Sequence, residues 1–270
     1  MNTQCNKPRK PMLPVLMYHG LHAGQHARGR YDSVYSVHPD EFARQLDWLL
    51  DSGHHTVRIN PTLAQTTATT GTRRPVLITF DDGDVSNIEV AMPRLLERGM
   101  AAEFFITSDF IDQPGMLSSR DVRSLADAGM GIGAHGKSHR FLEDLDQKDL
   151  EAELEHSRLR LSSITGCRID ALALPGGRGG ERERLAASRH GYHHLFGSMP
   201  GANPSPADGN WWQRIAITRN TSLERFAELV QWQGLHPRLS QARFIALSWP
   251  KRLLGNAGYE RLRARWLAQQ

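Results

Sequence analysis

Val76-Leu-Ile-Thr-Phe-Asp-Asp-Gly-Asp-Val-Ser86 opens as an uncharged, strand-like run and stops at two adjacent carboxylates, Asp81 and Asp82, followed by Gly83. A buried strand that delivers two acids to its C-terminal end is costly unless something compensates them. A divalent metal and a proton-transfer role would do so. Adjacent residues leaving a strand point in different directions, so one acid can bind a metal while the other faces a substrate. The same residues also fit a plain helix N-cap after a strand–turn junction.

Outward from this strand, strand and helix signals alternate. Pro14–Tyr18 is a short apolar strand before it, and Pro39–Ser52 an amphipathic helix with Phe42, Leu46, Leu49 and Leu50 on one face and Gly53 after its end. His55–Ile59 is strand-like, and the Thr-rich stretch Thr62–Arg74 reads as a loop. After it come helix Asn87–Arg98, strand Ala102–Ile106, helix Ser118–Ala128, strand Ile132–Ala134, helix Asp146–Ile164, strand Ala171–Leu174 and helix Glu181–Arg189. Short strands at Leu195–Gly197 and Arg214–Ile217, a loop at Ala202–Gly209 and a helix at Ser222–Gln231 complete the series. Such alternation implies a parallel sheet covered by helices, and its length suits one closed or nearly closed β/α barrel. The chemistry of such barrels sits at the C-terminal ends of the strands. His19, Asp81–Asp82, His135 and Pro175-Gly176-Gly177 all fall there.

Composition narrows the function class. The 270 residues are 39% hydrophobic with a net charge of +4, enough for a large core and far from a nucleic-acid-binding tail. Thirteen histidines favour metal or acid–base chemistry, whereas two cysteines, Cys5 and Cys167, argue against a disulfide framework or a thiolate metal cage. The run Met12–Tyr18 is short and contains Pro14, so it reads as a strand rather than a signal peptide, and no stretch is long enough to span a membrane. A cytoplasmic location is the expectation.

His135-Gly-Lys-Ser-His139 follows the strand Ile132–Ala134, at the same end of the sheet as the acid pair. Two histidines four apart in a turn can bring both imidazoles to one ion, and with one carboxylate they form a His₂–carboxylate site with open positions. Two surface histidines on a loop is the alternative. The joint occurrence of both features at the ends of strands of one sheet favours the site.

Thr79-Phe-Asp-Asp-Gly83 resembles the first signature of the polysaccharide deacetylases (carbohydrate esterase family 4, the NodB-homology domain). His135-Gly-Lys-Ser-His139 resembles the second, with Gly136 in a Ser/Thr place, and Ser36-Val-His-Pro-Asp-Glu-Phe-Ala-Arg-Gln-Leu46 is similar to members from exopolysaccharide clusters. The likeness covers roughly Val15 to Phe226. It implies a single distorted (β/α)7-type barrel at 13–235, after a flexible segment at 1–12 and before a basic amphipathic extension at 236–270. Under this resemblance Asp82, His135 and His139 bind the metal, Zn²⁺ first, with Co²⁺, Ni²⁺, Mn²⁺ or Fe²⁺ also admissible. Asp81 is the general base that activates the metal-bound water for attack on an acetamide carbonyl. The implied reaction removes N-acetyl or another small acyl group from amino sugars of a surface or exopolysaccharide or its precursor.

Later signatures depart from the family pattern. Ala173, in Leu172-Ala-Leu-Pro-Gly-Gly177, stands where the family has an Arg that orients the catalytic Asp, which leaves Arg178 and Arg214 as candidate partners of Asp81. Leu247-Ser-Trp249 has Trp in place of the family's general-acid His. Leu16-Met-Tyr-His19 resembles the family's final strand moved to the other end of the chain, as in relatives with permuted motifs. First and last strands of a closed barrel are neighbours, so His19 becomes the expected general acid, ahead of His22, His193 and His194. Pro175, Gly176, Trp211 and Trp212 are the candidates for contact with an N-acetylated oligo- or polysaccharide, although paired Trp residues also serve as core. The mixed apolar and basic stretch Phe244–Leu254 with Tyr259–Leu267 suits either a peripheral contact with an anionic membrane surface or a helix docked on the barrel. Two further readings share these residues: a same-fold amidohydrolase on a formamide or imide, and a catalytically impaired glycan-binding member, to which Ala173 and Trp249 point. The oligomeric state is not encoded in any of these features.

Overall fold

The computed structural model describes residues 12–59, 74–204 and 211–246. Its elements are β1 (Met12–Tyr18), α1 (Pro39–Asp51), β2 (His54–Thr56), β3 (Arg74–Phe80), α2 (Met92–Leu96), β4 (Glu103–Ile106), α3 (Ser119–Asp127), β5 (Gly131–Ala134), α4 (Gln147–Thr165) and β6 (Ala171–Ala173). They continue with α5 (Glu181–Arg189), β7 (His194–Phe196), β8 (Ala202–Pro204), β9 (Trp211–Trp212), β10 (Ile215–Ala216) and α6 (Leu223–Gln231). A further helix runs at 236–246.

The sheet order is β10-β1-β3-β4-β5-β6-β7-β9, and every neighbouring pair along this path is parallel. Its two outer strands, β9 and β10, are joined by only Gln213 and Arg214, so the sheet is a nearly closed barrel with helices around it. The alternation of side chains across a strand explains the two apolar layers. Leu16, Tyr18, Ile78, Phe80, Phe104 and Leu195 face outward and pack with Phe42, Leu46, Leu125, Leu154 and Phe226 of the helices. Leu13, Val15, Leu77, Phe105, Ala173, Phe196 and Trp212 fill the interior, together with Val57 and Ile59. Burial on both faces is why β3 reads as an unbroken apolar run: Val76, Leu77, Ile78, Thr79 and Phe80 are all fully buried.

Local signals set the helix ends. Ser118 and Asp121 form a capping box at α3, Asp146 caps α4, and Gly166, at φ 71°, ends it in the left-handed region. The helix expected over Asn87–Arg98 begins with a wider π turn at Asn87–Ala91 before α2. The stretch Ala202–Gly209, expected as a loop, is corrected in part. Ala202–Pro204 forms β8, antiparallel to Met12–Pro14, with the Asn203 side-chain amide donating to the Leu13 carbonyl. Met12, expected to close a flexible segment, already belongs to β1. Segment 1–11, the Thr-rich stretch at 60–73, 205–210, Trp249 and the rest of the basic extension beyond 246 lie outside the described residues. Among the described residues no helix is long and apolar enough to cross a membrane.

Candidate active site

The acid pair is presented by an abrupt turn. Asp81 still continues the ladder, its N–H donating to the Tyr18 carbonyl at 2.9 Å. Asp82 then adopts φ 75° and Gly83 φ 89°. A non-glycine residue held in the left-handed region costs roughly 1–3 kcal/mol and persists only where the surroundings enforce it. The turn sends the two carboxylates apart: Asp81 is buried against Arg214, and Asp82 faces His135 and His139.

The histidine turn is braced from three sides. His135 continues β5, its N–H donating to the Ile106 carbonyl. Its Nδ1 lies 2.8 Å from the Ala173 carbonyl. A carbonyl only accepts, so Nδ1 carries the proton and Nε2 presents its lone pair toward Asp82. From the end of β4, the Ser108 and Asp109 N–H groups donate to the Gly136 and Lys137 carbonyls. From α4, buried Glu153 accepts the Lys137 and Ser138 N–H groups at 2.7 and 3.0 Å and also the Ser138 hydroxyl. Gly136 stands in the Ser/Thr place in a backbone conformation that suits glycine. It has φ 75°, and a Cβ there would come within 3.2 Å of Glu153 Oε2 and 3.4 Å of Pro175 Cγ. Glu153 was not singled out from the sequence. Its signal was an acid on the buried stripe Leu150, Glu153, Leu154, Ser157, Leu161 of α4.

Asp82, His135 and His139 offer ligand atoms that all lie within 4.8 Å of one another. Asp82 Oδ1 is 3.4 Å from His135 Nε2 and 3.3 Å from His139 Nε2, yet it is buried and has no hydrogen-bond partner. His139, like Asp82, sits at positive φ, 65°. A buried acceptor without a donor, two imidazoles aimed at it and strained backbone at two of the three positions fit a bound divalent cation. Burial lowers the His135 pKa to about 4, which keeps its imidazole neutral as a ligand requires. Burial alone would raise the Asp82 pKa, but the neighbouring imidazoles of His139, His19 and His135 outweigh it and hold the carboxyl below its ordinary range.

Arg214, fully buried in the β9–β10 link, grips Asp81 with both arms. Nη1 donates to Oδ1 at 2.7 Å and Nη2 to Oδ2 at 2.8 Å, while Nε donates to the Gly197 carbonyl at 2.8 Å. Burial pushes Asp81 up, but Arg214, His135 and His19 together bring its pKa below the ordinary value. Of the two arginines considered as partners of Asp81 in place of the one missing at Ala173, Arg214 is the one on Asp81. Arg178 lies over Phe141 and pairs with Glu143.

His19 leaves β1 beside Asp81, since Tyr18 and Phe80 are register partners. Its ring stacks on Tyr35 at 4.6 Å, its carbonyl accepts from Asn87, and its Nδ1 is buried without a partner. His22 is fully buried between Ser36 and Asp84, away from the cluster. His194 begins β7 and His193 precedes it, so both stand at the opposite end of the barrel. Pro175 and Gly176 border the histidine turn, Gly176 (φ 63°) lying against Phe141. Trp212 is a core ring here, 6% exposed and stacked on Phe196, not an open face for a sugar. Trp211 is half-buried against the outer layer. The structure therefore brings together Asp81, Asp82, His135, His139, His19, Pro175 and Gly176, and leaves the paired Trp residues in the barrel wall.

The polysaccharide deacetylase family model matches residues 68–195. The chain is 30% identical over 226 residues to the candidate polysaccharide deacetylase YxkH of Bacillus subtilis (strain 168), covering 83% of this chain and 77% of that protein. Among solved structures, the Streptococcus pyogenes deacetylase PplD in complex with acetate superposes with a TM-score of 0.72 at 22% identity, covering 82% of this chain and 99% of that one. IcaB from Ammonifex degensii superposes with a TM-score of 0.67 at 22% identity, covering 82% and 97%. At that identity the two structures show a shared fold.

Proposed function

The chain belongs to the polysaccharide deacetylase family, and from that premise we propose that it is a metal-dependent hydrolase. Its reaction removes N-acetyl or another small acyl group from amino sugars of a surface or exopolysaccharide, or of its precursor. The observation that carries this reading is the juxtaposition of the Asp82–His135–His139 cluster with a second, ionised carboxylate, Asp81, clamped by Arg214. Asp82, His135 and His139 would hold a divalent cation, which would supply Lewis-acid polarisation of the amide carbonyl and a more acidic water.

The chain's own groups supply the rest. Asp81 Oδ2 lies 4.0 Å from His135 Nε2, so this oxygen borders the cluster and takes the proton of the attacking water. Arg214 keeps that carboxylate ionised and fixes its plane, which matters because a small misplacement of a reacting group costs orders of magnitude in rate. Water oxygen adds to the carbonyl carbon, the C–N bond breaks, and His19 protonates the departing amine. Stacking on Tyr35 holds the His19 ring for that transfer. Ala173, which from sequence alone pointed to an impaired member, loses that weight because Arg214 fills the missing arginine's role.

The test is acetate release from chitooligosaccharides, followed by mass spectrometry alongside metal content. Asp82→Ala, His135→Ala and His139→Ala are each expected to lose metal and turnover together. Asp81→Asn keeps metal and loses turnover. His19→Ala keeps metal and loses about 10²–10⁴-fold in kcat. Full metal content in the three ligand variants, or undiminished turnover in Asp81→Asn, overturns the reading.

A further inference from the structure

The loop between β1 and α1 presents a cation at the site that no role so far described uses. The Arg30 guanidinium lies over the Phe110 ring, 4.4 Å from its centroid. Phe110 in turn stacks on His139, with centroids 5.9 Å apart and planes at 26°. An exposed positive charge thus stands one ring away from a residue of the metal cluster.

Its backbone is fixed by buried polar groups. The Arg30 N–H donates to Asp84 Oδ2 at 2.6 Å, and the Ser86 N–H donates to Asp84 Oδ1 at 2.8 Å. Behind Asp84, His22 Nε2 lies 3.2 Å from Oδ1, and His22 Nδ1 is 2.8 Å from Ser36 Oγ. Gly29 adopts φ 119°, and a Cβ there would come within 2.3 Å of His22 Nε2, so only glycine allows the loop to press onto this latch. The third acid of the Asp81-Asp82-Gly83-Asp84 run is therefore spent on the main chain at Arg30, not on its charge.

The other arginines in the loops at this end of the barrel are occupied. Arg28 pairs with Glu89, Arg140 with Asp149, Arg178 with Glu143 and Arg214 with Asp81, while Arg219 donates to the His22, Ala23 and Ser36 carbonyls. Among the described residues Arg30 has no carboxylate at ion-pair distance; its guanidinium contact is Phe110. A guanidinium set over a ring makes no hydrogen bond to it, and its planar fork of N–H donors matches a carboxylate or a phosphate.

We infer that Arg30 forms an anion subsite for a carboxylate or phosphate on a sugar adjoining the one whose amide is cleaved. The natural substrate is then an acidic glycan; this rests on the deacetylase reading of the neighbouring cluster. The test uses the metal-loaded full chain and direct binding by calorimetry at low and raised salt. Hyaluronan tetrasaccharide against chitotetraose probes the carboxylate, and di-N-acetylchitobiose phosphorylated at one 6-hydroxyl against di-N-acetylchitobiose probes the phosphate. One acidic probe is expected to bind about tenfold tighter than its neutral counterpart, with the advantage shrinking in salt, and the responding pair identifies the anion. Arg30→Ala and Arg30→Met, the latter still able to cover Phe110, bring that ratio to about one, and Arg30→Lys restores part of it. Equal affinity for acidic and neutral probes in the wild type, or an acid preference that persists in both uncharged variants, overturns the inference. Acetate release from chitotetraose and from each acidic probe is read on the same preparation. Its absence alongside an Arg30-dependent preference refutes the deacetylase reading and leaves the anion subsite standing.

Discussion

Removing the Arg214 side chain isolates what a buried ion pair contributes to this fold. Arg214 is fully buried and the Asp81 side chain 3% exposed, joined by hydrogen bonds of 2.7 and 2.8 Å, with a third from Nε to the Gly197 carbonyl. Arg214→Met fills much of the volume but leaves a carboxylate with no counter-charge. Breaking a buried pair from one side costs about 3–5 kcal/mol, and the Gly197 carbonyl losing its donor adds about 1 kcal/mol. Arg214→Lys keeps the charge but not the fork, so about 1–2 kcal/mol is expected. Asp81→Asn with Arg214→Met removes both charges and is expected to cost much less than the sum of the single changes, the signature of direct coupling. The assay is urea unfolding with chelator present, so that metal binding does not shift the apparent stability. Metal content measured separately is expected to stay close to wild type, because Arg214 has no hydrogen bond to Asp82, His135 or His139, while turnover is expected to fall at least about 10²-fold as Asp81 loses its orientation. If Arg214→Met costs under about 1 kcal/mol, or the double variant shows simple additivity, the pair is not the coupled element described here.

Two further changes probe the supports of the fold and the site. Glu153→Ala removes the acceptor for the Lys137 and Ser138 N–H groups and is expected to weaken metal affinity about 10–100-fold, with Glu153→Gln intermediate; competition with a fluorescent chelator reads this, and unchanged affinity refutes it. Glu103 faces the barrel interior at the start of β4, accepts the Ile59 N–H at 2.7 Å and lies 3.6 Å from Arg58. Burial raises its pKa from 4.5 to about 7, against the lowering by Arg58 and the Ile59 N–H. Over that window the unfolded chain releases this proton while the folded chain keeps it, so the Glu103 contribution to stability is fully present below about pH 4.5 and lost as pH rises through about 7. Glu103→Gln is expected to gain on wild type over the same window in urea midpoints, and a difference that stays constant with pH refutes the assignment.

The sequence made β3 and its acids legible because a central strand of a helix-covered sheet is apolar at every position, and the break at Asp81 is therefore sharp. The histidine turn was legible for the same reason, as a strand end with two imidazoles at a fixed spacing. What did not show was long-range support. Glu153 acts from the middle of α4, 14 residues beyond the second histidine, and looks like an ordinary helix acid until the helix is packed. Trp211 and Trp212 carry no local signal for their direction; a strand of two residues, β9, turns one into the barrel and leaves the other outside. The strand at Ala202–Pro204 was masked by Pro, Asn and Gly, whose turn chemistry outweighs a short pairing to the start of β1.

The departures from the family pattern have a common physical origin in ring closure. Parallel strands in a nearly closed barrel deliver their C-terminal ends around one axis, so a side chain can reach the same point from any of several strands. Ala173 on β6 gives its carbonyl to His135, and the arginine it lacks comes instead from the link between β9 and β10. Since β10 pairs with β1 and β1 with β3, Arg214 and His19 reach Asp81 from the same side of the ring, one from each end of the barrel sequence. A motif order read along the chain misses this, because the constraint acts on order around the ring. Exchanging the partner strand leaves the carboxylate's needs unchanged: a planar cation to orient it, an imidazole in reach, and the Asp82–His135–His139 cluster beside Oδ2.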